Sequence, residues 1–198
     1  VWTKHVYTVS INACLGGNQL GWITNMNVTV GDDLLDAANA ELDRLHSFQN
    51  KSMLAIWEEG REDIRGYHAD RTKIYSSKAL AEFENPVFDG ETTQVYINYL
   101  PNTDTPYNVE HYQEKLDGTY ELFDTDSLNG TTGTIVEAVA KSCHHFTADK
   151  TVDGTVASGT IAGDGSLVLK LYYTRNTYSY EVRHIKQLPD GTYDEANA

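Results

Sequence analysis

Short stretches in which apolar and polar residues alternate recur along the chain and predict β-strands over most of its length. Tyr107, Val109 and His111 fall on one face of such a strand because side chains alternate between the two faces. The dipeptide Asp117-Gly118 favours a tight hairpin turn, so 119–125 is predicted to return as the partner strand. The middle of the chain is therefore expected to be β-rich.

Further strands are predicted towards both ends. The nearly continuous apolar run at 166–173 predicts a central strand covered on both faces. The segments 6–13 and 22–30 predict a hairpin joined through 16–18, which contains two glycines.

One helix is predicted between these β segments, over about 33–46. Gly31-Asp32 supplies an N-cap, and Asp33 and Asp36 place negative charge at the positive end of the helix. An apolar stripe at i, i+3, i+7 and i+10 consists of Leu35, Ala38, Leu42 and Leu45. A hairpin, then a helix laid on its sheet, then further strands is the order of a β-grasp fold.

The segments 107–121 and 180–194 form an internal repeat. Seven of their fifteen positions are identical, including Tyr-x-Val-x-His and Asp-Gly-Thr-Tyr. Each segment begins eight residues after a tyrosine, Tyr99 or Tyr172, and a weaker echo lies at 7–9. The spacing indicates a tandem array of modules.

The array is predicted to divide into a β-grasp module at 1–103, a β-rich module at 104–178 and the truncated start of a third at 179–198. The expected fold class is α+β, mainly β, built from tandem ubiquitin-like β-grasp modules. The link at 100–106 is bracketed by prolines, which predicts a semi-rigid spacer.

Charge and hydropathy argue against several partners. The chain has 29 Asp and Glu residues against 15 Lys and Arg, a net charge of −14. A surface of this sign repels phosphate backbones and anionic lipids, so neither nucleic acid nor a membrane is expected as a partner. The longest apolar run, 53–57, is far shorter than the roughly 20 residues of a bilayer-spanning helix. Because Val1 is no initiator residue, the chain is interpreted as a piece of a longer protein.

The two cysteines carry no recognisable chemistry. Cys14 and Cys143 lie in different predicted modules, which argues against an intradomain disulfide. The neighbouring dipeptide His144-His145 lacks a second Cys/His pair at zinc spacing. The spacing of Cys14, His68 and Asp70 matches no nucleophilic triad. We therefore expect no enzyme and assign no catalytic residue, metal or cofactor.

Acidic residues leave one weak site open. Asp124 and Asp126, followed by Asn129, are similar to part of a calcium loop. Leu128 and Ile135 stand where an EF-hand needs ligands, which excludes an EF-hand but leaves open a weak, irregular calcium site. The acidic pairs at 58–59 and 62–63 are interpreted as solvated charge rather than as acid–base pairs.

Several motifs together give the run 107–173 a family resemblance. They are the Tyr-x-Val-x-His-Tyr opening, the Leu-Asp-Gly-Thr-Tyr turn at 116–120, the segments 130–133 and 158–160, and the closing strand 167–173. This run resembles the mucin-binding-type (MucBP) repeats of Gram-positive surface adhesins. The resemblance restarts at Tyr180, while the first module resembles the family only at its edges.

The resemblance implies an extracellular, wall-attached protein that binds mucin glycans or host glycoproteins weakly and multivalently, with immunoglobulin as a known variant partner. The modules would be monomeric within their tandem array. The alternative is a non-binding stalk that spaces a distal head from the cell wall. Domains of such surface proteins sometimes carry a Lys–Asn or Lys–Asp isopeptide bond, for which Lys141 or Lys170 would be the candidates.

Repetition separates scaffold residues from candidate ligand contacts. His111 recurs as His184 on the face shared with tyrosine and valine, which predicts a hydrogen-bonded scaffold histidine. A binding surface is then expected on the opposite face, where Tyr112 and Phe123 are the predicted ligand-binding residues.

Overall fold

The computed structural model describes residues 3–193, and it is mainly β. The first sheet contains β1 (Tyr7–Leu15), β2 (Asn18–Val28), β3 (Tyr67–Ala69) and β4 (Gln94–Pro101), in the spatial order β2-β1-β4-β3. The second sheet contains β5 (Thr105–Glu114), β6 (Tyr120–Gly130), β8 (Phe146–Ala148) and β10 (Val168–Arg175), in the order β6-β5-β10-β8. A separate pair is formed by β7 (Ile135–Glu137) and β9 (Ser158–Thr160). The helices are α1 (Leu34–Asp43), α2 (Met53–Glu58) and a 3₁₀ turn, Glu62–Ile64.

We use "first module" for residues 3–103 and "second module" for residues 104–178, so each module contains one four-stranded sheet. Residues 1–2 of the predicted first module and 194–198 of the predicted third lie outside the described residues. Within residues 3–193, no helix has the length and apolar run that a bilayer crossing requires.

Each sheet is built around a parallel pair formed by its first and last long strands. β1 runs parallel to β4 with Ile11 beside Val95, and β5 runs parallel to β10 with Val109 beside Leu169. The two parallel pairs have the same residue-by-residue register. Each paired position on β1 and β4 therefore has a structural counterpart on β5 and β10.

This register corrects two sequence alignments. Tyr99 lies opposite Ala69 on β3, and Tyr173 lies opposite Ala148 on β8, so Tyr173 and not Tyr172 is the counterpart of Tyr99. The weak echo at 7–9 is likewise two residues out of register with the strand that begins the second module. In both cases the strand pairing follows the buried aliphatic positions rather than the spacing of the tyrosines.

Backbone hydrogen bonds repeat the correspondence outside the long strands. Tyr75 and Tyr96 exchange a pair of N–H···O bonds, as Val156 and Lys170 do in the second module. In both modules an aspartate then accepts from the backbone and hydroxyl of a threonine two residues later, Asp70 with Thr72 and Asp149 with Thr151. The two modules therefore follow the same path from the short third strand to the last strand.

The first helix is shorter than its apolar pattern predicts. Asp33, rather than Asp32, is the N-cap and accepts from the N–H groups of Leu35 and Asp36. Asp32 instead accepts from the backbone of Thr29. The helix ends at Asp43, so Leu45 lies beyond it and is 58% exposed, while Leu34, Ala38 and Leu42 are buried.

Two further local features differ from the predictions. The strands of the first hairpin extend to Leu15 and start again at Asn18, so the turn is only Gly16-Gly17, with φ of 56° and 86°. Glycine is favoured at such left-handed positions because it has no Cβ. The sequence pattern also does not predict α2, because no apolar stripe marks it. In the structure, none of the six residues of α2 is fully buried.

The modules differ in how they cover their sheets. In the first module, α1 packs on the face that carries Ile11 and Ile97, and the segment with Tyr75 and Leu80 covers the opposite face. In the second module a smaller core of Tyr107, Val109, Ile161 and Leu169, with Val136, Ala138 and Leu167 packed against it, covers one face. β10 accordingly alternates between buried and half-buried residues, so the prediction that both of its faces are covered was wrong.

The modules meet where little backbone separates them. Only residues 102–104 lie between β4 and β5, and Asn102 connects the two sides: its N–H donates to Gly66 O, and its carbonyl accepts from Thr132 N. The Thr105 and Thr132 hydroxyls lie 2.6 Å apart in a buried position beside this contact. The junction is therefore a packed contact with its own hydrogen bonds.

The segment 180–193 reproduces the hairpin turn of the second module. Lys115 N donates to Thr119 O, and Leu188 N donates to Thr192 O at the positions 73 residues later. The threonine N–H and hydroxyl bind the aspartate two residues earlier in both turns. These bonds confirm the predicted turn at Asp117-Gly118 and its repetition.

Replacement of a buried stripe residue should identify the true helix face. We expect Leu42→Ala to lower the free energy of unfolding by about 2–5 kcal/mol, because it leaves a cavity under α1. Leu45→Ala is the matched control and should change it by less than about 0.5 kcal/mol, since Leu45 is exposed. Urea denaturation of both variants measures the difference, and equal losses would contradict the observed end of the helix.

Candidate binding surface

Three tyrosine rings form one cluster on the face of the second sheet that points away from its core. Tyr112 and Tyr172 are neighbours on β5 and β10, and their rings stack with centroids 5.0 Å apart at 17°. Tyr120 on β6 meets Tyr172 edge-on at 5.1 Å. We call these three residues the tyrosine platform. All three are half-buried, so each ring keeps an accessible surface.

Charged groups flank the platform. The Tyr112 hydroxyl donates to Glu110 at 2.6 Å, and Lys170 Nζ lies 3.6 Å from the same carboxylate and 5.9 Å from the Tyr112 ring centroid. The hydrogen bond to Glu110, together with partial burial, raises the pKa of Tyr112 to about 12. Tyr112 therefore stays protonated at physiological pH, and an aromatic surface lies beside one acceptor and one cation.

The equivalent face of the first module is closed. When the two parallel strand pairs are aligned, Tyr112 is the counterpart of Cys14, and Lys170 is the counterpart of Tyr96. Cys14 and Tyr96 are buried in a cluster with Tyr75. Because the counterpart of Tyr75 is Val156, which brings no aromatic ring, the tyrosines of the second module are left at the surface. The platform is thus specific to the second module.

Phe123 lies on the other face of the sheet from Tyr112. The β5–β6 ladder pairs His111 with Asp124 and Tyr112 with Leu122, so Phe123 is the extra residue of a β-bulge. Its ring packs against those of His111, at 6.0 Å, and Tyr173, at 5.5 Å. The prediction that Phe123 shares the face of Tyr112 was therefore wrong, because the bulge interrupts the alternation of side chains.

His111 is fully buried and hydrogen-bonded at both ring nitrogens, as the scaffold prediction requires. The Tyr173 hydroxyl accepts from Lys141 N and lies 2.8 Å from His111 Nδ1, so its single proton is available to that nitrogen. His111 Nε2 faces Asp126 Oδ2 at 3.1 Å. His111 therefore connects the central strand to the sheet edge through both of its ring nitrogens.

Lys141 occupies the acidic pair that had left a calcium site open. Its Nζ lies 2.5 Å from Asp124 Oδ2 and 2.6 Å from Asp126 Oδ1. Hydrogen bonds to the ammonium lower the pKa of both carboxyl groups, and the same bonds raise the pKa of Lys141. One protein cation thus already pairs with both carboxylates.

The remaining sequence candidates use separate local partners. The Cys14 thiol donates to Ile97 O, and burial raises the pKa of this thiol. His68 Nδ1 contacts Asn102 Oδ1, and the Asp70 carboxylate accepts from Thr72 N. Glu58 is not simply solvated as predicted, because it accepts a 2.7 Å bond from the buried Tyr99 hydroxyl.

Sequence reasoning found one member of the platform and missed Tyr120 and Tyr172. The usable signal was the parallel pairing of first and last strands, which places Tyr172 beside Tyr112. Tyr120 follows because it lies on the strand next to β5, opposite Glu114 and two residues before the partner of Tyr112.

Removal of the Lys141 ammonium should produce a pH-dependent loss of stability. Both carboxyl pKa values are lowered in the folded state, so the ion pairs contribute fully above the unfolded value of about 3.9 and are lost as the pH falls through the lower folded values. Lys141→Met should therefore lower Tm near neutral pH, by an amount that shrinks as the pH falls below about 3.9.

Thermal melts of both proteins across this range measure the difference. Lys51→Met removes the exposed pair with Glu59 and is the control, with little effect expected at any pH. A loss of Tm that did not change with pH would contradict this role of the carboxylates.

We do not expect the Lys141 side chain to form an isopeptide bond. Condensation needs a neutral amine and a protonated acid, whereas the shifts at Lys141, Asp124 and Asp126 favour both charged forms. We therefore expect intact-mass measurement of the folded protein to show no deficit of one water or one ammonia. A deficit that persists after denaturation and maps to Lys141 would contradict the ion-pair assignment.

Comparisons with known proteins add a distant likeness. No family model matches the chain, and no curated protein matches it. Among solved structures, it is similar to the type 2 repeat of the mucus binding protein MUB from Lactobacillus reuteri, over 85% of this chain and 99% of that chain, at 9% identity and a TM-score of 0.21. At that TM-score the likeness carries no argument about what this chain binds.

Proposed function

We propose that the chain is part of the repeat region of an extracellular bacterial surface adhesin, which binds mucin glycans or host glycoproteins weakly and multivalently. The observation that carries the proposal is the tyrosine platform, a half-buried aromatic surface at a position that the first module covers fully. The family resemblance of 107–173 supports the ligand class and the location on a Gram-positive cell wall. Immunoglobulin is a further partner within the same proposal, and no enzymatic activity is proposed.

The platform fits a sugar by its chemistry. A pyranose ring presents C–H groups on one face and hydroxyl groups around its rim, and an aromatic ring packs against the C–H face. Glu110 and Lys170 lie at the edge of the stacked pair, where they can accept from and donate to the hydroxyl groups. Since the surface is open and the rings are only half accessible, each copy of the platform would bind weakly, and an array with several such copies would gain affinity through effective concentration.

A tandem array is the second part of the proposal. We infer that both modules are β-grasp modules, because each has a hairpin next to a last strand that runs parallel to the first. The repeated turn at 190–192 supports the start of a third module near 179.

The alternative function is a non-binding stalk. The hydrogen-bonded junction at Asn102 favours it, because a spacer needs defined contacts between consecutive modules. Under this alternative, the platform is a surface packing arrangement that stiffens the sheet and contacts no ligand.

Tyrosine variants of the full chain distinguish the two functions. Loss of a stacking ring removes about 0.5–1.5 kcal/mol beyond its area, so Tyr172→Ala should weaken binding to immobilised mucin by about 2–12-fold. Tyr112→Phe keeps the stack but loses the bond to Glu110 and should have the smaller effect. Binding is measured with single and multimerised protein on mucin and on a glycan array.

Two aromatic residues provide controls. Phe48, 92% exposed in the first module, and Phe123, on the opposite face of the second, should be replaceable by alanine without loss of binding, provided that circular dichroism shows the fold intact. Loss at Phe123 alone would move the binding surface to the other face. Absence of binding by the multimerised wild-type protein would favour the stalk.

A further inference from the structure

The contact between the two modules leaves no space for a side chain. A Cβ at Gly66 would lie 2.4 Å from Gly163 Cα and 2.7 Å from Thr132 Oγ1, and a Cβ at Gly163 would lie 1.9 Å from Arg65 O. Backbone therefore packs against backbone, with Gly66 on the first module and Gly163 on the second. Asn102 holds this arrangement through its bonds to Gly66 and Thr132.

The far end of the second module carries the same framework. Asn176 follows β10 as Asn102 follows β4, and its N–H donates to His145 O at 2.9 Å, as that of Asn102 does to Gly66 O at 2.8 Å. The side-chain oxygen of each asparagine also has a partner on the short third strand: Thr147 for Asn176, at 2.6 Å, and His68 for Asn102, at 2.8 Å. His145 is thus the counterpart of Gly66.

The two counterparts share a backbone conformation but not a side chain. His145 has a φ of 69°, and Gly66 has a φ of 79°. The first junction has no room for a side chain at Gly66, whereas an imidazole occupies the equivalent position at His145. The centroid of this ring lies 3.8 Å from that of His144 and 5.7 Å from that of Tyr178.

We infer that the array contains two kinds of module contact: a closed one between the first and second modules, and an open one after the second, where His145 replaces Gly66. The end formed by His145, Thr147 and Asn176 is a docking surface for the module that begins near Tyr180, which rests on the tandem array proposed above. Asn176 O is placed to accept a backbone N–H from that module, as Asn102 O does from Thr132. Direct backbone packing is prevented by the His145 side chain, so the modules are held further apart and turn more freely.

We test this inference in the full chain by introducing a histidine at the closed contact, in place of Gly66. ¹⁵N relaxation should give one rotational correlation time for residues 7–175 of the wild-type protein. Gly66→His should separate it into two shorter times, one for each module, with chemical-shift changes at Thr132 and Gly163. Gly60→His is the matched control, because Gly60 has a similar φ of 74° but nothing within 4 Å of an added Cβ, and it should keep the single time.

Gly163→Ala gives an independent readout if Gly66→His unfolds the first module. The atoms nearest to its added methyl would be backbone atoms of Arg65 and Gly66, and its φ is not in the left-handed region. It should also produce two correlation times. A single time for both Gly66→His and Gly163→Ala, or two times already in the wild-type protein, would overturn the inference. No ligand enters the measurement, so its outcome is separate from that of the mucin-binding experiment.

Discussion

The parallel pairing of the first and last long strands determines both faces of each module. With Val109 beside Leu169, the aliphatic residues of β5 and β10 point together into the core. Because side chains alternate along a strand, the same register brings Tyr112 beside Tyr172 on the outer face. A shift of one residue would exchange the two sets, so the core and the candidate binding surface depend on one pairing.

The two modules bury an equivalent tyrosine hydroxyl with different partners. Tyr99 donates to Glu58, which lies on α2, and burial, together with this carboxylate, raises the pKa of Tyr99. Tyr173 instead meets His111 from the neighbouring strand of the same sheet. A buried hydroxyl without a partner is costly, so the second module, which has no helix within the described residues, needs a histidine in the strand itself. This need gives a physical reason for the recurrence of Tyr-x-Val-x-His along the chain.

Local signals predicted the long strands, the first helix and the Asp117-Gly118 turn, because each depends on neighbouring residues. Of the candidate site, the sequence predicted Tyr112 alone. Phe123 was assigned to the wrong face because a bulge depends on the pairing of two strands, which alternation along one strand does not contain. The Lys141 contacts were equally inaccessible, since they join segments 15 and 17 residues apart that only the folded sheet brings together. Likewise, Asp33 rather than Asp32 caps the helix because Asp32 is already bound to Thr29.

The same strand arrangement has a mechanical consequence. The chain enters the second module at the start of β5 and leaves it at the end of β10, and these strands lie side by side and point the same way. Tension along the chain therefore pulls the two strands past each other and loads their hydrogen bonds simultaneously. Hydrogen bonds loaded in shear must break together, whereas those of a hairpin pulled from its open end break one by one. Such a module resists stretching when an array is tethered at one end and fluid flow pulls on the other end.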